Sequence, residues 1–152
     1  MSGAQPRQRC TPAPKGRAWR KSVHGEVNKL TVQDQTAAVK KLLAERPWLD
    51  AARVGVYGHS GGGTNTLNLL FRSPETFQVG AASAPVADMR YYDTIYQERY
   101  MGLLPGREEI YRLASPLAHA GGLRGREGKG YAVHRFRLLG RYFLTHLPPG
   151  GW

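Results

Sequence analysis

The chain has 152 residues, 41% of them hydrophobic, and carries 22 Lys and Arg against 11 Asp and Glu, a formal net charge of +11. That length holds one ordinary domain, and the apolar fraction is too high for a generally disordered chain. No run approaches the ~20 apolar residues of a membrane-spanning helix, and a lone cysteine, Cys10, excludes an internal disulfide framework or a CxxC zinc site.

Met1 to Cys10 lacks the apolar run of a cleavable secretory leader, so the chain as it stands reads as cytoplasmic. The charge is uneven: residues 1–29 carry net +6, residues 30–105 net zero and residues 106–152 net +5. No nucleic-acid motif accompanies the basic ends. They read as a solvated surface or a contact face rather than a specific nucleic-acid site. Of the five histidines, His134 and His146 share an expected helix, and their spacing makes no two-ligand metal face.

Residues 1–22 read as an irregular basic arm, because Pro6, Pro12, Pro14 and Gly16 break any period. A helix is expected over Thr31–Arg46, with Val32, Ala38, Val39, Leu42 and Leu43 at helical spacing, Thr31 as its cap and Pro47 as its stop. Arg53–Gly58 reads as a buried strand, His59–Gly63 as a tight glycine turn, Thr64–Arg72 as a helix and Gln78–Ala84 as a second buried strand. Strand, turn, helix and strand make a βαβ unit, whose strands should be parallel. An excursion with Tyr91, Tyr92, Tyr96 and Tyr100 follows, then a short helix near Arg107–Leu113. Residues 121–131 are rich in glycine and charge and read as a loop. A final helix is expected within 132–152, burying Val133, Phe136, Leu139 and Phe143.

Gly58-His59-Ser60-Gly61-Gly62 fits G-x-S-x-G, and it falls between an expected strand and an expected helix, the context that pattern requires. A sharp turn there would lift the Ser60 hydroxyl from the strand end. Small residues at 58 and 62 would avoid backbone collision, and the Gly61 N–H would face a developing oxyanion. The competing reading is a glycine-rich strand-to-helix turn of any α/β fold, a phosphate-binding one included. Against it, no Lys follows the glycines, and Thr66 stands where a dinucleotide loop needs glycine. Tyr92 and Tyr96, four apart, fit either a helical aromatic face packed on the core or a substrate pocket. Asp88 and Asp93 are expected to orient neighbouring backbone, and Glu98 with Arg99 to be solvated or structural ion-pair partners.

Gly58-His-Ser-Gly-Gly-Gly-Thr, Ala84-Pro85-Val86 and Tyr91-Tyr-Asp-Thr-Ile-Tyr-Gln-Glu-Arg-Tyr-Met-Gly102 together resemble the prolyl oligopeptidase family, in its dipeptidyl-peptidase IV branch. The resemblance extends from about Thr11 through Leu117 and resumes at Arg141-Tyr-Phe-Leu-Thr-His-Leu-Pro-Pro. It implies an α/β fold, here a partial α/β-hydrolase with a parallel sheet flanked by helices, a β-propeller ahead of the domain in complete members, and a peptide substrate. It also implies Ser60 as nucleophile, Gly61 as oxyanion donor, and Tyr92 and Tyr96 as walls of the pocket for the residue before the scissile bond, often proline. No metal or organic cofactor is implied.

The departures from the family concern the rest of the machinery. No propeller or preceding sheet segment with the family's oxyanion tyrosine is seen. The strand–Asp–helix–strand–His region expected after Leu117 is missing near Arg126. Asp88 and Asp93 are the only aspartates after Ser60, and His119, His134 and His146 fall away from the family's base position. The expectation is a serine-peptidase catalytic-domain segment, with residues 23–120 as its core. The alternative is an inactive remnant acting as an association or basic binding module. Self-association through the incomplete sheet is expected in either case.

Overall fold

The computed structural model describes residues 16–124. Two parallel strands, β1 (Gly55–His59) and β2 (Val79–Ser83), pair in register from Gly55 opposite Val79 to His59 opposite Ser83. The connection between them is a helix, Gly61–Arg72, as a parallel pair requires. Two helices precede β1: α1 (Gly16–Lys21) and α2 (Lys29–Glu45); the crossover helix is α3. After β2 come a short 3₁₀ turn (Met89–Tyr91), α4 (Thr94–Met101), α5 (Glu108–Ala114) and a 3₁₀ segment (Pro116–Gly122).

α3 packs on both strands, and α2 and the second 3₁₀ segment pack on α3. The core between them joins Val32 of α2, Leu69 of α3 and Phe77 ahead of β2, with Val39, Val54, Val56 and Leu70 against it. These are the positions at which helical and strand periodicity place apolar side chains on one face. A second cluster holds the segment after β2: Met89, Met101, Tyr111 and Ala114, packed by Val27, Val86, Tyr100, Leu104 and Ile110. Asn28 ties the two halves, its Nδ2 donating to the Ala114 carbonyl at 2.7 Å.

The βαβ unit stands as the sequence implies, with boundaries shifted by up to three residues, but β1 is not the buried strand expected: only Gly58 of it is buried, because β2 and α3 cover one side of it and leave the rest open. Four further expectations change. The arm is not irregular throughout: Gly16–Lys21 is helical, with Arg20 and Lys21 in its last turn, where cations complement the helix dipole. α2 starts at Lys29, two residues before Thr31. Asn28 (φ 64°) precedes it in a left-handed conformation, its side chain turned to Ala114 instead of capping. The tyrosine excursion is mostly helical, as the first 3₁₀ turn and α4. Gly121 and Gly122 finish a 3₁₀ segment rather than open a loop. Cys10, the remainder of the 121–131 loop beyond Arg124, and the 132–152 helix with His134 and His146 lie outside the described residues.

Candidate active site

β1 delivers the chain to Ser60, and α3 begins at the next residue, leaving no loop between them. Ser60 takes φ 54° and ψ −121°, a conformation that L-residues seldom adopt and that costs on the order of 1–3 kcal/mol. The surrounding bonds hold it there. The Ser60 N–H donates to the Ser83 carbonyl at 2.9 Å, and the Ser60 carbonyl accepts the first helical bond from Thr64 N–H at 3.0 Å.

Glycine is required at two positions of this turn. A Cβ on Gly58 would run into the backbone of Gly62, and one on Gly63 would lie 2.6 Å from the Ser83 carbonyl oxygen. Gly62 itself faces open space, so the expectation that its own side chain must be small is corrected. Its backbone is what Gly58 must clear, while the tight approach to the neighbouring strand falls on Gly63.

Ser60 is exposed at the apex, and among the described residues its hydroxyl has no hydrogen-bond partner. Gly61 heads α3 and is also exposed. Its N–H belongs to the leading turn of the helix, where amides have no intrahelical acceptor and the dipole is positive. His59 points to the adjacent strand, its Nδ1 3.0 Å from Ser83 Oγ. Ser83 therefore engages the elbow twice, through its carbonyl and its hydroxyl.

Thr64 links the elbow to the segment after β2. Its hydroxyl accepts from Val86 N–H at 2.8 Å and lies 3.2 Å from the Val86 carbonyl, and the residue is buried. Ala84, between Ser83 and Pro85, takes φ 45°, so the chain turns sharply as it leaves the sheet. Asp88 then accepts from the Arg90 backbone at 3.0 Å and from the Arg90 guanidinium at 2.6–3.2 Å. The Arg90 hydrogen bond, opposed by burial, holds the Asp88 carboxyl below its ordinary pKa. Ser115 Oγ accepts from Met89 N–H at 2.9 Å, fixing the same turn from the far side.

Tyr92 ends that turn and Tyr96 lies on α4, their rings meeting edge to face at 5.8 Å. Tyr96 also packs on Tyr100 at 4.9 Å. Tyr92 is 44% exposed and Tyr96 51%, so neither ring fills the core, and the plain core-packing account of this pair fails. Asp93 caps α4 by accepting from Tyr96 N–H at 2.7 Å, which sets the direction in which Tyr96 leaves the backbone.

His119 and the two aspartates that follow Ser60 are committed elsewhere. Asp88 is bound to Arg90, Asp93 caps α4, and His119 Nε2 lies 2.9 Å from the Leu113 carbonyl. Among the described residues no group of three His, Cys, Asp or Glu is placed to hold a metal, and no helix is long and apolar enough to cross a membrane.

The model of the prolyl oligopeptidase family matches residues 12–133. Over 114 residues the chain is 38% identical to the protein named Probable dipeptidyl peptidase 4 of Aspergillus flavus, covering 75% of this chain and 14% of that one. It is 33% identical over 102 residues to Inactive dipeptidyl peptidase 10 of Mus musculus, covering 67% and 13%. The crystal structure of Porphyromonas gingivalis dipeptidyl peptidase 4 superposes with TM-score 0.68 at 40% identity, covering 72% of this chain and 16% of that one. The chain thus spans about a seventh of the first of these relatives, and the part it spans is a serine-peptidase-like α/β-hydrolase segment. With the strand–Ser60–helix turn at its centre, this chain is a member of the prolyl oligopeptidase family.

Proposed function

We propose that this chain is the nucleophile-bearing segment of a dipeptidyl-peptidase-like serine peptidase, acting on peptide bonds, often after proline, through an acyl-enzyme on Ser60. The observation that carries this is the Ser60 backbone, held at φ 54° and ψ −121° with its hydroxyl exposed at the head of α3. Because a relative named Inactive dipeptidyl peptidase 10 is 33% identical over 102 residues, the reading rests on this turn and not on overall likeness.

In this reading Ser60 Oγ attacks the peptide carbonyl, and the oxyanion is received by the Gly61 N–H in the positive field of α3. The hydroxyl proton passes to a histidine oriented by an aspartate and then to the departing amine. Water hydrolyses the resulting ester. Tyr92 and Tyr96 form walls of the pocket for the residue before the scissile bond, where exposed aromatic faces suit a compact apolar ring. Asp88, Asp93 and His119 are engaged elsewhere, and in this reading the acid and the base come from parts of a complete enzyme that this chain does not span.

The test is a chimera. Residues 55–72 of this chain replace the matching strand, elbow and helix of a complete, active dipeptidyl peptidase. Cleavage of an X-Pro chromogenic dipeptide should survive the exchange and vanish in Ser60→Ala. A folded chimera that retains its fluorescence and mass but shows no Ser60-dependent cleavage overturns the assignment. A second feature concerns partners. β1 and β2 each pair on one side only among the described residues, and we propose that their open edges bring copies of the chain together.

A further inference from the structure

Away from the elbow, a groove of about 380 Å³ opens between α2 and the C-terminal end of α3, at the lower end of the size range of small-ligand sites. α3 is 12 residues long, which puts this groove roughly 18 Å from Ser60 at ~1.5 Å per residue. Its polar lining is Gln33, Thr36 and Lys40 from α2, with Arg72, Ser73 and Glu75 from the end of α3 and just beyond.

The arrangement is short of acceptors. Nη1 of Arg72 is buried and has no hydrogen-bond partner, an uncommon state for a guanidinium nitrogen. Burial lowers the pKa of Arg72 from its ordinary value, the direction expected of a cation whose lost hydration has not been replaced. The α3 carbonyl end supplies part of a counter-charge, yet leaves that nitrogen unmatched. Glu75 is the one acid lining the groove, and it is engaged by Lys40 at 3.2 Å. The Thr36 hydroxyl donates to Ser73 Oγ at 3.0 Å, which leaves the Ser73 hydroxyl proton free to donate. Thr36 and Ser73 are both buried, so their directions are fixed by packing.

We propose that this groove binds a small oxyanion, a phosphate or carboxylate group, on the Arg72 guanidinium with the Ser73 hydroxyl and Lys40 assisting. Planar oxyanion edges match the guanidinium fork of Arg72, which lines the groove. The Glu75 carboxylate keeps the net charge of the lining at one positive unit, which favours a singly charged group over a polyanion. That selectivity separates the site from diffuse attraction to a chain of net charge +11.

Equilibrium dialysis of the full 152-residue chain against inorganic phosphate and, in a second arm, acetate tests this, at ionic strength held constant with sodium chloride. One saturable site per chain is expected, and the arm with the tighter binding identifies phosphate or carboxylate as the natural group. Arg72→Gln should weaken binding at least about tenfold, as for loss of a charged hydrogen-bond donor. Lys40→Gln should weaken it about threefold, and Arg20→Gln, on exposed α1, should leave it unchanged. Arg72→Lys serves as the second variant should the glutamine form fail to fold, and it too should bind more weakly because the fork is lost. Absence of a saturable site in both arms overturns the proposal. So does an equal loss in Arg20→Gln and Arg72→Gln, or undiminished binding by Arg72→Lys where only that variant folds.

Discussion

The N–H of Ser60 donates to the carbonyl of Ser83 at 2.9 Å, and that same carbonyl is the atom a Cβ on Gly63 would strike at 2.6 Å. One backbone oxygen at the end of β2 thus pins the elbow and sets how closely α3 can approach the sheet. Gly63→Ala should therefore push α3 off β2 and weaken the Ser60 bond together. Overpacking of this kind costs about 1–3 kcal/mol. Gly62→Ala, whose Cβ meets nothing, should cost no more than a surface change and serves as the control. Urea titration of both variants checks this, and equal stability would show that the turn is not limited by that contact.

Thr64 should matter through its hydroxyl and not its volume. Thr64→Val keeps the shape but leaves the Val86 N–H without its 2.8 Å acceptor in a buried setting, a loss of about 1–3 kcal/mol. Thr64→Ser keeps the oxygen and should lose less than half of that. A valine variant as stable as the parent would mean that Val86 finds another acceptor.

Acid should weaken the turn that leads to Tyr92. The hydrogen bond from Arg90 holds the Asp88 carboxyl below its ordinary value, so folded Asp88 binds its proton less readily than unfolded Asp88. Its contribution is then fully present above the unfolded pKa of ~4 and is lost as pH falls through the lower folded value. Arg90 is half exposed, so the charge component is screened and modest. Denaturation midpoints of parent and Asp88→Asn should differ near neutrality and converge as pH falls through the lowered value of the folded carboxyl. A gap that stays constant across that range would mean the carboxylate contributes only by shape.

The chain by itself should be catalytically silent. A serine hydroxyl is a weak nucleophile until a base takes its proton, and general-base help is worth roughly 10²–10⁴-fold. Asp88, Asp93 and His119 are all engaged elsewhere. The purified chain should give no measurable X-Pro cleavage and little labelling by a fluorophosphonate probe. Rapid labelling that disappears in Ser60→Ala would mean that a base reaches Ser60 within this chain or between copies of it.

Association should accompany that silence. β1 pairs with β2 on one side only among the described residues, and Tyr57 on β1 is 41% exposed. Open strand edges with exposed aromatic side chains recruit further strands. Sedimentation velocity should show species larger than the monomer at micromolar concentration. A monomeric mass together with a cooperative thermal transition would count against this.

The local sequence by itself determined the parts of this protein whose causes are short-range. The short apolar run from Val54 to Tyr57, the glycines at 58 and 61–63, and the spacing of Leu67, Leu70 and Phe71 suffice to place a strand, a turn and a helix. The parallel pairing follows, because a strand–helix–strand connection leaves little choice. The capping roles of Asp88 and Asp93 are of the same kind, a carboxylate reaching an amide two or three residues ahead. The α1 turn was hidden because proline and glycine punctuation upstream outweighed six residues of moderate helix propensity. What only the tertiary structure decided depends on register between distant segments. That Gly63 and not Gly62 must lack a side chain, that Ser83 holds the elbow through both its carbonyl and its hydroxyl, and that Thr64 clasps Val86 all follow from α3 lying against β2. Likewise Arg72 reads in the sequence as an ordinary basic helix end. Only the folded surroundings bury one nitrogen with no acceptor, because desolvation is a property of neighbours and not of spacing along the chain.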